Sequence, residues 1–413
     1  MTNRNTIILP LLPGALSIRF SLTNAIFFSY ILLVFLLSGF LEMLSGGIYR
    51  QSHAIILVVI LSFFYKPRFN MASILALFLS GQIVLSGVIG YSSGEDIVLF
   101  LRGPIFVLLT YHAINGWLRN HTQDVEKLWV ILFGIGVLQL PIIILQTVFW
   151  QQMTAYIPGG VSNVDVGFGT FPVKADYSMT FFLGMLVFVL LFGGVKLANQ
   201  KWRYFLLVWY TLTVLVANSQ VMQLALILLW IVYILFHLRP QFILFSLVGI
   251  AVLSIAIFVL RQNEWMPLSL SATFSALQDQ IQGNVNTGGF SRGATFYELF
   301  STQIDWIGKG PGYYYSVLNR QVVGLDIQGH LLTYYAEIGM IGLLISYALL
   351  WSIAKPVYIN KRSIYLNVSA STTFLVIVIL SSTSYVLNQL PILSIYILAL
   401  YWVQYSWKKH ENT

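Results

Sequence analysis

Long apolar runs recur along the chain, and short polar segments separate most of them. Crossing the roughly 30 Å hydrocarbon core of a bilayer takes about 20 apolar residues in an α-helix. The pattern therefore predicts an all-α, polytopic integral membrane protein with about twelve transmembrane helices. The predicted spans are 25–44, 48–65, 71–89, 96–116, 128–150, 176–193, 202–217, 219–237, 242–260, 330–351, 365–386 and 390–407. The run at 48–65 is short and only Asn218 separates 202–217 from 219–237, so about ten to thirteen spans fit the pattern.

Two connections between predicted spans are much longer than a turn requires. They cover 151–175 and 261–329, and long loops often carry function. The second loop contains two apolar stripes at helical spacing, which predict two short surface helices. These stripes consist of Leu270, Phe274, Leu277 and Ile281, then Phe296, Leu299, Phe300 and Ile304. The predicted organisation is nine spans within 1–260, a long external loop at 261–329, and the last three spans within 330–413.

Composition strengthens the membrane assignment and excludes several kinds of chemistry. Charged residues make up 9% of the chain, whereas a soluble domain carries roughly 25%, and the mean hydropathy is +0.80. These values exclude a water-soluble globular protein. The chain has no cysteine, which excludes disulfides, thiol nucleophiles and Cys-ligated zinc.

Basic residues predict the orientation, because Lys and Arg concentrate in cytoplasmic loops of membrane proteins. If the N-terminus is cytoplasmic, most of the 22 basic residues fall in inner segments. An even number of spans then places both termini inside, and the net charge of +8 reflects topology rather than nucleic-acid binding. The other cations lie on or near the outer face, which is therefore suited to an anion: Arg50, Arg102, Lys174, Arg261, Arg292, Lys309 and Arg320.

Two of these arginines are candidates for anion binding. Arg102 lies inside a predicted span about 9 Å from its outer end, where it either contacts an anion or extends its side chain to the interface. Arg292 opens the second surface helix, where free N–H groups and the helix dipole favour an anion. Its guanidinium can hold a phosphate with two hydrogen bonds. The alternative for Arg292 is a solvated loop cation.

Further candidate residues follow in the same loop and in the next span. Gly308, Gly310 and Gly312 alternate in "IGKGPGYYY", which permits close approach of a ligand to the backbone but also suits an ordinary turn. The segment matches neither a Walker loop nor GxGxxG, so ATP chemistry is unsupported. His330 is predicted at the outer membrane boundary, as a base, a phosphate ligand or an interfacial anchor. Glu337 is predicted two turns deeper on the same helix face, with a structural role.

The order of these residues resembles a known family. Arg292, then "GKGPGYYY", then His330 with "LLTYYAEIGMIGLLI" is similar to the C-terminal signature of the O-antigen polymerase (Wzy) and O-antigen ligase superfamily. The segment "GFGTFPVKADYSMTFFL" resembles the family's entry into a middle span. Two positions depart from the pattern. Many relatives have a Ser-Arg pair where this chain has Ser219-Gln220, and Asn often follows the key histidine where this chain has Leu331.

The resemblance implies a GT-C-type glycosyltransferase of the bacterial inner membrane with its active face in the periplasm. Its donor and acceptor would be undecaprenyl-diphosphate-linked oligosaccharides, without metal, cofactor or nucleic acid, and a chain-length regulator protein would be a possible partner. Catalysis would fall to Arg292 and His330, with His330 as base or diphosphate ligand. Diphosphate binding would involve Arg292, Arg102, Lys174, Lys309 and Arg320, and supporting residues would be Gly308, Gly310, Gly312 and Glu337.

Three other functions compete with a polymerase that joins a growing glycan to the next lipid-linked repeat unit. A ligase would transfer the finished glycan to lipid A core and shares most motifs. A transporter or flippase of polyprenyl-linked oligosaccharide would need ionisable groups near the bilayer midplane and exchangeable halves. A non-catalytic scaffold would leave the external cations unexplained.

Overall fold

The computed structural model describes residues 7–9, 21–49, 51–65, 69–154, 157, 167–173, 175–193, 195–197, 200–217, 219–236, 305–313, 329–358, 364–381 and 384–411. Helices dominate this part of the chain. They are α1 (Leu22–Leu44), α2 (Ile55–Phe64), α3 (Met71–Ile89), α4 (Gly94–Asn120), α5 (Val125–Val148), α6 (Trp150–Thr154), α7 (Asp176–Phe192), α8 (Gln200–Val216), α9 (Gln220–Phe236), α10 (His330–Tyr358), α11 (Ile364–Ser381) and α12 (Leu390–Glu411).

The helices coincide with the predicted spans. Each predicted span except 242–260 overlaps one of them, and 242–260 lies outside the described residues. Within the described ranges, 5 helical stretches are long and apolar enough to cross a membrane, and α2, α7, α9, α11 and α12 contain shorter apolar helices. The expectation of a helical membrane protein is confirmed at this level, while the total of about twelve spans stays a prediction.

One short strand pair accompanies the helices. β1 (Ile7–Leu9) and β2 (Val195–Leu197) form a short parallel pair, with Ile7 opposite Val195. Ile7, Ile8 and Val195 are β-branched, which favours extended backbone. The pair joins two segments that were predicted to share the inner side.

Contacts between the connecting segments give the bundle two ends that agree with the predicted sides. At the "strand end", defined by β1, β2 and residues 121–124, the Asn24 Nδ2 donates to Asp124 Oδ2 at 3.1 Å. At the "loop end", defined by residues 90–93 and 305–313, Gly310 packs against Ser92. Segments predicted to share a side are therefore in contact, and which side of a membrane each end faces stays a prediction.

The centre of the bundle is α7. Residues 181–190 of this helix include Phe181, Leu186 and Leu190, each 0% exposed. A helix that is apolar and buried all round must have other helices on every face, and α7 packs against α8, α9 and α12. The Trp402 Nε1 of α12 also donates to Gly193 O at the end of α7.

Helix α1 contains a break, and Thr170 in the loop before α7 supplies the hydrogen-bond partners that the break removes. The break is a π-helical turn at Leu33–Leu37. The N–H of Gly39 donates to Thr170 O at 3.0 Å, and Thr170 Oγ1 donates to Phe35 O at 2.6 Å. In a regular α-helix the N–H of residue 39 would donate to the carbonyl of residue 35, so Thr170 takes the place of both partners. Gln139 of α5 also holds Thr170, since its Oε1 accepts from Thr170 N at 3.0 Å.

α10 consists of two helices rather than one. Gly339 has a φ of 72° and a ψ of −176°, which separates residues 330–338 from residues 340–358. The His330 Nε2 lies 2.9 Å from Ser346 Oγ, although in a straight helix these residues would be about 24 Å apart along the axis. The two parts therefore fold back on each other as a helical hairpin.

A second contact supports this reversal and locates the tip of the hairpin. A Cβ at Gly342 would lie 2.9 Å from Ile338 Cβ, well below the 5–6 Å usual between helical neighbours. The N–H of Met340 donates to Asp305 O at 2.8 Å, so the tip lies at the loop end. Although His330–Ala354 is long and apolar enough to cross a membrane by length and composition, the break divides it, and residues 330–338 form a short helical arm that ends at the tip. Such broken helices occur within membranes where protein surrounds them.

Candidate functional site

The glycine-rich segment at 308–312 covers the broken backbone at the tip of the hairpin. A helix break leaves carbonyl groups without their helical partners, and inside a membrane these groups must find others. The N–H of Lys309 donates to Ala336 O at 3.0 Å, and the N–H of Gly310 donates to Glu337 O at 2.8 Å. From α3, the Gln82 Nε2 donates to Ile338 O at 3.1 Å. The segment thus stabilises a break that would otherwise be unfavourable.

Asp305 organises this segment. Its Oδ1 accepts from the N–H groups of Ile307 and Gly308, at 3.2 and 2.8 Å. Its Oδ2 lies 3.4 Å from Lys309 Nζ, in a pair whose lysine side chain is 61% exposed. Such exposed pairs contribute only about 0–1 kcal/mol, so the Lys309 ammonium can leave this carboxylate at little cost.

The three glycines are explained by close packing within the protein. Gly308, Gly310 and Gly312 have φ values of 89°, 94° and 88°, which side chains rarely adopt. A Cβ at Gly310 would collide with Ser92 Oγ, and one at Gly312 would lie 2.7 Å from the Asp96 carboxylate carbon. The close approach that the spacing predicted is therefore an approach to the chain's own backbone and side chains. A direct contact with a ligand stays a prediction.

His330 lies fully buried at the start of α10, at the end of the short arm that is far from the tip. It is 0% exposed, and its ring contacts the Tyr334 ring in a tilted arrangement with the ring centroids 3.8 Å apart. Its backbone N–H donates to Ser384 O at 3.1 Å, which ties it to the loop between α11 and α12. The Tyr347 ring closes another side at 5.8 Å. His330 is thus fixed by contacts from three segments.

Several buried polar atoms around His330 have no hydrogen-bond partner within the described ranges. They are His330 Nδ1, Tyr334 Oη, Ser384 Oγ and Asn388 Oδ1. A Cβ at Gly103 of α4 would lie 2.8 Å from Tyr334 Oη and 3.0 Å from Asn388 Oδ1, so these two atoms face the same glycine. Buried polar groups are nearly always hydrogen-bonded, and exceptions often mark a functional site or a place for water. We therefore take this group as the candidate site.

Glu337 lies nearer the loop end than His330, which is the reverse of the expected order. Glu337 was predicted about two turns deeper than His330. Because the hairpin reverses the direction of the chain, Glu337 lies next to the tip, where its carbonyl meets Gly310. His330 is seven residues, or about 10 Å, further from the loop end. Glu337 is 1% exposed, and its carbonyl also accepts from Ser86 Oγ at 2.7 Å.

The predicted cations are not brought together by the described residues. Arg102 is exposed, with its guanidinium 5.3 Å from the centre of the Phe106 ring, while the adjacent Gly103 faces the candidate site. Lys309 lies at the tip, beside Asp305. The other three predicted diphosphate ligands lie outside the described residues: Lys174, Arg292 and Arg320. Their roles stay predictions.

Sequence reasoning missed four of the residues in or beside this site. Tyr334 was part of a quoted motif but received no role, and Ser346, Ser384 and Asn388 were not singled out. The available signal was the number of polar residues in an apolar region, since Ser384, Tyr385, Asn388 and Gln389 crowd one short turn. Spacing along the chain gave no indication that Ser346 meets His330, because that contact requires the hairpin.

Comparison with known proteins adds no assignment. No protein-family model matches this chain, and no curated protein matches it. Within the described ranges, no group of three or more His, Cys, Asp or Glu residues could hold a metal ion.

Proposed function

We propose that this chain is a membrane glycosyltransferase that polymerises a bacterial surface polysaccharide from polyprenyl-diphosphate-linked repeat units. The observation that carries the proposal is the broken helix α10, which holds a buried histidine inside an apolar bundle, with a ring nitrogen that lacks a hydrogen-bond partner among the described residues. A general base must offer such a nitrogen to the hydroxyl that it deprotonates. The resemblance of the C-terminal motifs to the O-antigen polymerase and ligase superfamily supports the same reaction.

In this reaction the acceptor hydroxyl oxygen forms a bond to the anomeric carbon of the donor sugar. The bond between that carbon and the diphosphate oxygen breaks, and the diphosphate leaves with the electron pair. His330 accepts the proton of the attacking hydroxyl. Arg292, assisted by Arg102, Lys174, Lys309 or Arg320, stabilises the negative charge that develops on the leaving diphosphate. The reaction takes place at His330, about 10 Å from the loop end, and in this proposal the loop end faces the periplasm.

The surface of the bundle suits a lipid-linked substrate. Large apolar side chains are exposed on several helices, among them Phe63 at 86%, Phe78 at 65% and Leu224 at 54%. A bilayer covers such side chains, and the polyprenyl chain of the substrate can lie among the same helices. The diphosphate would then meet Lys309 at the loop end, and the sugar would extend towards His330. A ligase that transfers the finished glycan to lipid A core would use the same chemistry.

The break in α10 also supports a second candidate function, that of a transporter. Discontinuous helices frequently form the substrate sites of secondary transporters, and α10 is discontinuous at Gly339. A transporter or flippase of polyprenyl-linked oligosaccharide would therefore also account for this feature. A transporter would give no chemical role to His330 Nδ1, which lacks a hydrogen-bond partner among the described residues.

Reconstitution separates these candidates. The purified chain is placed in liposomes that contain polyprenyl-diphosphate-linked repeat units isolated from cells lacking this chain. The polymerase proposal expects longer lipid-linked glycans and release of polyprenyl diphosphate. Transfer only to added lipid A core would identify a ligase. Movement of the lipid across the bilayer without any new glycosidic bond would refute the enzyme proposal.

A further inference from the structure

We propose that His330, Tyr334 and Asn388 form a binding site for the hydroxyl groups of a sugar, separate from the diphosphate site. This inference rests on the proposed function and names the part of the substrate that these residues hold. It also chooses between the two roles left open for His330.

Ser346 determines which ring nitrogen of His330 carries the proton. The Ser346 hydroxyl has one hydrogen, and it donates to Leu343 O at 2.7 Å. Its oxygen therefore accepts the bond from His330 Nε2, 2.9 Å away, so Nε2 carries the proton. In the neutral ring the other nitrogen, Nδ1, then holds a lone pair. Ser346 is thus a positioning residue that presents Nδ1 as an acceptor.

The Tyr334 and Asn388 side chains add both donors and acceptors near His330, and neither side chain carries a positive charge. The Tyr334 hydroxyl can donate and accept, and Asn388 Oδ1 accepts. The two side chains face Gly103, where a Cβ would lie within 3.0 Å of both atoms. The His330 ring lies against the Tyr334 ring, with the centroids 3.8 Å apart and the planes tilted by 34°. Each unpartnered buried group of this kind is unfavourable by about 1–3 kcal/mol, which a ligand with matching groups would remove.

The chemistry of these atoms selects a sugar over a phosphate. A phosphate oxygen carries lone pairs and negative charge, so it is repelled by the lone pairs of His330 Nδ1 and Asn388 Oδ1. A sugar hydroxyl can donate to these atoms and accept from the Tyr334 hydroxyl. We therefore assign the sugar of the substrate to this site. We assign the diphosphate of the substrate to the cations that are proposed to bind it.

The first test measures the tautomer directly. Nitrogen NMR of the full chain labelled with ¹⁵N-histidine in lipid bilayers distinguishes protonated from unprotonated ring nitrogens, and the chain has 6 histidines. His330→Gln assigns the signal of His330. We expect an unprotonated Nδ1 and a protonated Nε2 in the unmodified chain, and loss of this preference in Ser346→Ala. A protonated Nδ1 in the unmodified chain would overturn the assignment.

The second test separates sugar binding from diphosphate binding. The two probes are the polyprenyl-diphosphate-linked repeat unit and polyprenyl diphosphate without sugar, and affinity for the detergent-solubilised chain is measured. Tyr334→Phe is expected to weaken binding of the repeat unit about tenfold, as for the loss of one hydrogen bond. It should leave the affinity for polyprenyl diphosphate unchanged.

Two outcomes distinguish failure of this inference from failure of the proposed function. Equal weakening for both probes, or no change for either probe, would refute the sugar site while leaving a polymerase possible. Failure of the unmodified chain to bind either probe would refute the proposed function itself. Tyr396→Phe is the matched control, because its hydroxyl donates to Leu350 O at 3.2 Å, away from the site. It should leave both affinities unchanged.

Discussion

The backbone N–H of Gly310 donates to the carbonyl oxygen of Glu337 at 2.8 Å, and this bond joins the glycine-rich segment to the broken helix. The segment and the break depend on each other. Without the segment, the carbonyl groups near Gly339 would lose partners in a region with little water. Without the break, the chain could not turn back and hold His330 inside the bundle.

Substitution of Gly310 by alanine tests this dependence. Gly310 has a φ of 94°, and an added Cβ would collide with Ser92 Oγ. We expect Gly310→Ala to lower the free energy of unfolding by about 1–3 kcal/mol, seen as a lower Tm of the detergent-solubilised protein. The control is Gly81→Ala in α3, where a Cβ meets nothing within 4 Å. Alanine there favours the helix by up to about 1 kcal/mol. Equal Tm values for the two variants would contradict the packing described.

Thr170 offers a second test, in the break of α1. Thr170→Val keeps the shape of the side chain but removes the hydroxyl that donates to Phe35 O. We expect a loss of about 1–3 kcal/mol in the free energy of unfolding, because a buried carbonyl loses its partner. Thr170→Ser should restore most of it. Thr147→Val is the control, since the partner of Thr147 Oγ1 among the described residues is Ile143 O of its own helix. A loss in the control as large as that in Thr170→Val would rule out the special role of Thr170.

His121 predicts a dependence of stability on pH at the strand end. Burial lowers the pKa of His121 below its usual value of 6.5, and the nearby Asp124 carboxylate partly opposes this shift. Since the pKa is lower in the folded than in the unfolded protein, the unfolded form takes up the proton first as the pH falls. Stability should therefore decrease as the pH drops below about 6.5. Thermal unfolding between pH 7.5 and 5.5 would show a smaller decrease for His121→Gln, and an unchanged pH dependence would contradict the shift.

Arg292 carries the charge-stabilising part of the proposed reaction. Arg292→Ala should reduce chain growth by about 10²- to 10³-fold, the usual effect of removing one charge-stabilising donor. Arg292→Lys should restore little, because lysine cannot form the paired hydrogen bonds of a guanidinium. Product length and the amount of inserted protein are measured together. Near-normal glycan length with either variant would remove Arg292 from the mechanism.

The longer helices could be predicted because each one coincides with an apolar run that is visible in the sequence. The predicted sides also agree with the contacts, as when β1 meets β2 and Asn24 meets Asp124. These features depend on local composition and on the distribution of charge, both of which are visible along the chain.

The hairpin in α10 could not be predicted in the same way. Glycine occurs often within apolar helices, and Gly339 lies in a run with no proline to mark a break. The break is stable because Asp305 and the glycine-rich segment bond to it, and these partners are distant in sequence. For the same reason, the contact between His330 and Ser346 was missed. Of the predicted catalytic pair, only His330 lies within the described residues.

The most direct test of the central claim is the rate of glycosidic bond formation by His330→Gln in liposomes supplied with lipid-linked repeat units. Loss of a general base usually slows a reaction by about 10²- to 10⁴-fold. The account predicts a decrease of this size, with unchanged affinity for sugar-free polyprenyl diphosphate as evidence that the protein is folded. Bond formation at the rate of the unmodified chain would contradict it.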